Sequence, residues 1–118
     1  TSIGDAAFSN CDSLTSITIP DFVNNIGTSS FSSCTSLKSV TIGNGVNIIG
    51  KAAFMNCNYL ESITIGYSLK RVEIDAFSNC RVLSTVNYRG SKEQWYSIVT
   101  LYGNEYLTNA TINYNYKG

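Results

Sequence analysis

Four cysteines carry the most reactive side chains in this sequence, and they recur on a fixed interval: Cys11, Cys34, Cys57 and Cys80 stand 23 residues apart. Such a series could cross-link the chain, ligate a metal or supply a nucleophile. Equivalent residues of successive stacked coils lie about 4.8 Å apart, inside the roughly 4.4–6.8 Å between Cα atoms that a disulfide spans. Distance therefore permits pairing, but direction opposes it. Equivalent side chains in stacked coils point the same way, whereas a disulfide draws its Cβ atoms to about 3.8 Å with a torsion near 90°. Zinc is worse served, because its ligands converge tetrahedrally and the sequence holds no histidine. A nucleophilic thiol needs a neighbouring cation or helix N-terminus to lower its pKa, and no basic residue recurs beside these four. The first reading is a structural ladder, with Cys11, Cys34, Cys57 and Cys80 as small, buried, weakly donating hydrophobes. Disulfides between neighbouring coils stay open as the second.

Other columns keep the same step. Phe8, Phe31, Phe54 and Phe77 repeat every 23 residues, as do Leu14, Leu37, Leu60 and Leu83. Softer columns follow: Ile3, Ile26, Ile49, Val72; Ile17, Val40, Ile63, Val86; Ile19, Ile42, Ile65, Tyr88; and Val23, Val46, Leu69. Within each unit "SITI" or "SVTI" is β-branched and alternating, which predicts a short strand burying Ile17 and Ile19 and exposing Ser16 and Thr18. "IGKAAFMNC" lacks alternation and predicts one helical or 3₁₀ turn on the opposite side. Gly27 and Gly50 fall at the bend before that turn, where unusual backbone angles are expected, although Glu73 takes the same place in the fourth unit. No 23-residue unit can cover its own apolar columns. The expected fold is therefore an α/β repeat solenoid, a coil with one short parallel strand per repeat and short helical turns opposite.

The pattern "LTSITIPDFVNNIGTSSFSSC" resembles the BspA-like (treponemal-type) leucine-rich repeat. The resemblance covers residues 1–88, one partial and about three full units, and implies a right-handed coil and a place on bacterial surfaces. Residues 89–118 resemble the cap that closes such arrays, so one domain with two parts is expected. Ser91 and Gln94 form a capping box, and Trp95, Ile98, Val99 and Tyr102 lay one apolar stripe along a helix. "NEYLTNA" predicts a second helical turn and "TINYNY" a last strand. Because "TSIGDAAFSNC" opens in the middle of the pattern, the chain is expected to be the C-terminal piece of a longer protein.

Composition narrows the function. Basic and acidic residues balance at 8 each and are scattered, which gives no field for nucleic acid, and no apolar run approaches the ~20 residues of a membrane span. No nucleotide, serine-elbow or metalloprotease motif is present, so neither an enzyme nor a cofactor is expected. The outward rows of the strands are Ser16, Ser39, Ser62 and Thr85, then Thr18, Thr41, Thr64 and Asn87. That hydroxyl face is the candidate partner-binding surface, for a protein or a glycan. Beside it Lys38 and Glu61 are expected to pair across strands. The family resemblance implies adhesion from an extracellular or cell-surface position in a bacterium. A monomer is expected. The rivals are a passive spacer and a glycan module that uses the cap aromatics.

Overall fold

β-branched residues at alternate positions favour extended backbone, and each repeat has such a run where the chain must lie against its neighbour. The computed structural model describes the whole chain, Thr1–Gly118. The first four coils contribute β1 (Ser2–Ile3) and β2 (Ser16–Ile19), β3 (Asn25–Ile26) and β4 (Ser39–Ile42), β5 (Ile48–Ile49) and β6 (Ser62–Ile65), and β7 (Arg71–Val72) and β8 (Thr85–Tyr88). The last contributes α1 (Lys92–Ser97), β9 (Val99–Thr100), α2 (Glu105–Thr108) and β10 (Thr111–Asn113). All pairing is parallel. The longer strands form one sheet in the order β10-β8-β6-β4-β2, and the two-residue strands form a second, β1-β3-β5-β7-β9. Each coil thus has the expected strand and a shorter one besides.

Register repeats from coil to coil, with Ile17 beside Val40, Val40 beside Ile63, and Ile63 beside Val86. A one-residue slip would turn the Ile and Val columns to solvent, so burial of those columns fixes the pairing. Between the sheets the phenylalanines stack: the Phe8–Phe31, Phe31–Phe54 and Phe54–Phe77 centroids are 5.2, 5.2 and 5.3 Å apart, with the rings within 11° of parallel. Phe31, Phe54 and Phe77 are fully buried, whereas Phe8 on the first coil is not.

Opposite the long strands the structure departs from the expected helical turn. The N–H groups of Ala7, Ser9 and Cys11 bond back to the carbonyls of Gly4, Ala6 and Phe8, while those of Ala6, Phe8 and Asn10 cross to Thr28, Ser30 and Ser32 on the next coil. Alternate amides thus close local turns and bridge coils. A helix would need an unbroken right-handed run, but Ala6, Ser29, Ala52 and Asp75 have φ between 55 and 59°. Asn10, Ser33, Asn56 and Asn79, four residues on, have φ between 60 and 63°. Such angles disfavour residues with a Cβ by about 1–2 kcal/mol, Asn least, and the inter-coil bonds offset that cost.

Gly27 and Gly50 are not among the positive-φ residues. Their small size serves close approach instead: a Cβ on Gly27 would lie 2.6 Å from the Ile3 carbonyl oxygen, and one on Gly50 would lie 2.5 Å from that of Ile26. Glu73 holds the equivalent place with its N–H 3.0 Å from the Ile49 carbonyl, so the contact is tight rather than absolute.

At the end of the array the Ser91–Gln94 capping box forms as expected. The apolar stripe does not, because α1 ends at Ser97 and the chain straightens into β9 beside β7. Trp95 is buried edge-on to Tyr88, at 5.1 Å and 60°, while Val99 and Tyr102 are exposed. "NEYLTNA" supplies α2, and "TINYNY" supplies β10 beside β8. Both sheets therefore gain a fifth strand from residues beyond 88.

Candidate functional site

The thiols have structural partners. Cys34, Cys57 and Cys80 are buried and free, and each donates its S–H to a phenylalanine carbonyl of the preceding coil: Phe8 at 3.2 Å, Phe31 at 3.2 Å and Phe54 at 3.1 Å. Cys11, on the first coil, is free and half-buried. Burial is the main cause that raises the thiol pKa at Cys34 and Cys57, and it pushes Cys80 up to about 12. A thiol held protonated is a poor nucleophile and a poor metal ligand. No group of three or more His, Cys, Asp and Glu side chains could hold a metal ion.

Loop acids serve neighbouring coils in a similar way. Asp5 accepts the Thr28 N–H at 2.9 Å and Asp21 accepts the Asn44 N–H at 2.8 Å, in each case 23 residues ahead. Lys38 and Glu61, expected to pair, do not, since the only ion pair joins Arg71 to Glu73 at 2.7 Å. Their backbones meet instead, with the Glu61 N–H 2.9 Å from the Lys38 carbonyl.

The hydroxyl rows lie side by side as the register requires: Ser16–Ser39–Ser62–Thr85 and Thr18–Thr41–Thr64–Asn87. Their inward neighbours Ile19, Val40, Ile42, Ile63, Ile65, Val86 and Tyr88 are buried, so the two rows form the outer face of the longer sheet. Ser16, Thr18 and Ser39 are exposed, whereas Thr41, Ser62, Thr64, Thr85 and Asn87 are half-buried. Side-chain bonding here is confined to Asn113 on Asn87 at 2.9 Å and Ser84 on the Glu61 carbonyl at 3.3 Å, and the hydroxyls of the two rows take no part. They are free to meet a partner or water.

Three contributors escape a search at a 23-residue step. Thr111 and Asn113 extend the two rows to a fifth rung, beside Thr85 and Asn87. The signal was present as a second copy of a tetrapeptide, "TVNY" at 85–88 and "TINY" at 111–114, but at a spacing of 26. Asn104 is the third. It is 2% exposed; its side-chain oxygen accepts the Phe77 N–H at 2.9 Å, and its amide donates to the Glu73 and Leu101 carbonyls at 2.9 Å. In the interior coils a backbone carbonyl takes the phenylalanine N–H, as Ala76 does for Phe54 at 2.7 Å. Asn104 of the fifth coil thus supplies with its side chain what the earlier coils supply with a backbone carbonyl.

A family model described as the BspA type leucine rich repeat region matches residues 1–116 in 6 copies. Among solved structures, a leucine rich cell surface protein from Faecalibacterium prausnitzii is 30% identical with a TM-score of 0.60, the match covering 86% of this chain and 33% of that one. A leucine-rich repeat protein from Bacteroides ovatus is 28% identical with a TM-score of 0.63, covering 97% of this chain and 25% of that one. A leucine rich repeat protein of T. pallidum, at 22% identity and a TM-score of 0.51, shares the fold. The chain spans about a third and a quarter of the length of the first two. No curated protein matches it.

Proposed function

The chain belongs to the BspA-type leucine-rich repeat family, and from that premise we propose that it is a non-enzymatic docking module that takes a protein partner on the Ser/Thr rows of its longer sheet. The observation that carries this reading is the row of unengaged hydroxyls held in strict register on a rigid parallel sheet. Unbonded Ser and Thr on fixed strands offer donors and acceptors with little ordering cost, which suits a shallow protein surface better than a buried small molecule. Position at the bacterial surface fits the description of the F. prausnitzii structure as a cell surface protein. No helix is long and apolar enough to cross a membrane. Residues 1–88 act as the repeat array and residues 89–118 as its cap within one monomeric domain. Of the cap aromatics, Trp95 is a weaker candidate for a sugar platform, because it packs edge-on to Tyr88 and is 9% exposed, whereas Tyr96, Tyr102 and Tyr106 are exposed.

Substituting Thr18, Thr41 and Thr64 together by Lys tests the choice of face against a panel of immobilised extracellular-matrix proteins. Loss of binding with an unchanged thermal melt supports it. Binding at the wild-type level would move the site elsewhere, and a wild-type protein that binds none of the panel would leave the spacer reading in front.

A further inference from the structure

Ile19, Ile42 and Ile65 form one inward column of the longer sheet, and in the fourth coil Tyr88 takes their place. Its ring packs edge-on to Trp95, and the residue as a whole is buried. A tyrosine is longer than an isoleucine, so its hydroxyl passes beyond the end of the column. Room for it comes from Gly90, where a Cβ would lie 2.6 Å from the ring and 2.7 Å from the hydroxyl oxygen. Burial raises the phenol pKa, so the group keeps its proton and is a donor.

The space beyond that column is a groove of about 340 Å³, which Tyr88 lines together with Asn47, Tyr67, Lys70, Gln94 and Ser97. Its origin is a change of link length. Residues 20–24, 43–47 and 66–70 join the longer to the shorter strand in three coils, five residues each, but ten residues, 89–98, join β8 to β9. The longer link carries α1, which leaves a gap against the loop at 66–70 where another stacked bend would have filled it. Tyr67 stands there, 55% exposed, at a position that earlier coils give to Asp21 and Asn44. Side-chain hydrogen bonds around the groove belong to α1: the Ser91 N–H donates to Gln94 Oε1 at 2.8 Å, the Gln94 N–H donates to the Ser91 hydroxyl at 3.1 Å, and the Ser97 hydroxyl donates to the Gln94 carbonyl at 2.6 Å. The Tyr88 hydroxyl, the Asn47 side-chain amide, Gln94 Nε2 and the Lys70 ammonium have no partner in the chain. No acid lines the groove, and exposed Lys70 is its single charge.

We propose that this groove is a carbohydrate site, which takes a neutral sugar unit of an oligosaccharide against the Tyr67 ring and holds its hydroxyls with Tyr88, Asn47 and Gln94. A sugar ring carries apolar C–H groups on its faces and hydroxyls around its rim. The exposed aromatic ring matches the faces, and amides and a phenol, which between them donate and accept, match hydroxyls that do both. The volume falls near the lower end of the about 300–1,000 Å³ of small-ligand sites, which suits one or two sugar rings. Lys70 remains hydrated at the rim and adds a donor. None of the hydroxyl-row residues lines this groove, so the site is independent of the strand face.

Nuclear magnetic resonance titration of the ¹⁵N-labelled chain with cellotetraose, mannotetraose and chitotetraose tests it, and the same spectra report whether each variant is folded. The expected result is saturable shifts of the Tyr67, Lys70 and Ser97 amides with at least one of the three, at a dissociation constant of about 1 mM. Tyr67→Ala, on an exposed side chain, weakens binding about tenfold or more, and Tyr88→Phe, which removes only the hydroxyl, weakens it about fivefold. Tyr59→Ala removes a tyrosine of similar exposure outside the groove and leaves binding unchanged. No saturable shift with any of the three, an equal loss in Tyr59→Ala, or none in Tyr67→Ala overturns the assignment. Tighter binding of trigalacturonate than of every neutral sugar, lost in Lys70→Gln, overturns the neutral ligand in favour of an acidic one. Thr41→Lys with Thr64→Lys keeps sugar binding, so a failure of the strand-face reading and a failure of this one are read separately.

Discussion

Replacing Asn104 by Ala removes three hydrogen bonds of 2.9 Å, from the Phe77 N–H and to the Glu73 and Leu101 carbonyls; the Phe77 N–H and the Leu101 carbonyl lose their partner, while the Glu73 carbonyl keeps the Ala76 N–H at 3.3 Å. Asn104 is 2% exposed and its bond to the Phe77 amide is buried, so water reaches that amide only if the end of the array opens. At about 1 kcal/mol for each lost bond the substitution destabilises by about 3 kcal/mol, and by more if the Phe77 amide stays dry. For a chain of this size that lowers the melting temperature by about 10 °C. Urea denaturation followed by far-ultraviolet circular dichroism measures the difference, and amide exchange at Phe77 locates it. A change smaller than about 0.5 kcal/mol would refute the idea that this side chain stands in for a backbone carbonyl of its coil, since ordinary surface substitutions stay within that bound.

The other expectations concern the core. Ser30 is fully buried and its hydroxyl has no partner, while its column is otherwise Ala7, Ala53 and Ala76. Ser30→Ala should therefore stabilise by about 1 kcal/mol, and a melting temperature that falls would contradict the unpaired hydroxyl. The buried thiols set a pH dependence. Unfolded cysteines ionise near pH 8.5, whereas Cys80 keeps its proton to about pH 12 and Cys57 is also shifted up. Between those limits the unfolded state holds fewer protons, so stability is full below about pH 8 and falls by about 1.4 kcal/mol per pH unit for each such thiol. Cys57→Ala with Cys80→Ala should flatten most of that decline, and an undiminished slope would assign it to other groups. In a thiol titration of the native protein only half-buried Cys11 should react promptly, with Cys34, Cys57 and Cys80 following at the rate of unfolding. Fewer than four thiols after unfolding would reveal a disulfide.

The columns of Phe, Cys, Leu and Ile made the solenoid legible because stacking copies one coil's environment onto the next, so an environment appears in sequence as an interval. The same logic placed the hydroxyl rows and assigned the cysteines to the core. It failed where the environment is backbone. "IGKAAFMNC" reads as helical from its alanines, but the amides there bond between coils and the left-handed residues at Ala52 and Asn56 break any helix. Gly50 reads as a conformational glycine and is a spatial one. Val99 and Tyr102 fit a helical stripe, yet an open sheet edge at β7 draws the chain into β9 after only six helical residues. Asn104 carries no periodic signature, since it acts once, at the end of the array.

The proposed docking surface is the pair of hydroxyl rows on the longer sheet. The most direct test compares two variants of equal added charge against one matrix protein that the wild type binds. Thr41→Lys with Thr64→Lys alters the longer sheet, and Asn25→Lys with Ile48→Lys alters the shorter one, whose strands β3 and β5 hold those residues. Surface plasmon resonance should show at least about a tenfold loss for the first variant and an unchanged affinity for the second, because a lysine pressed into a docked surface is desolvated without a partner. The reverse order, or equal losses in both, would place docking away from the hydroxyl rows.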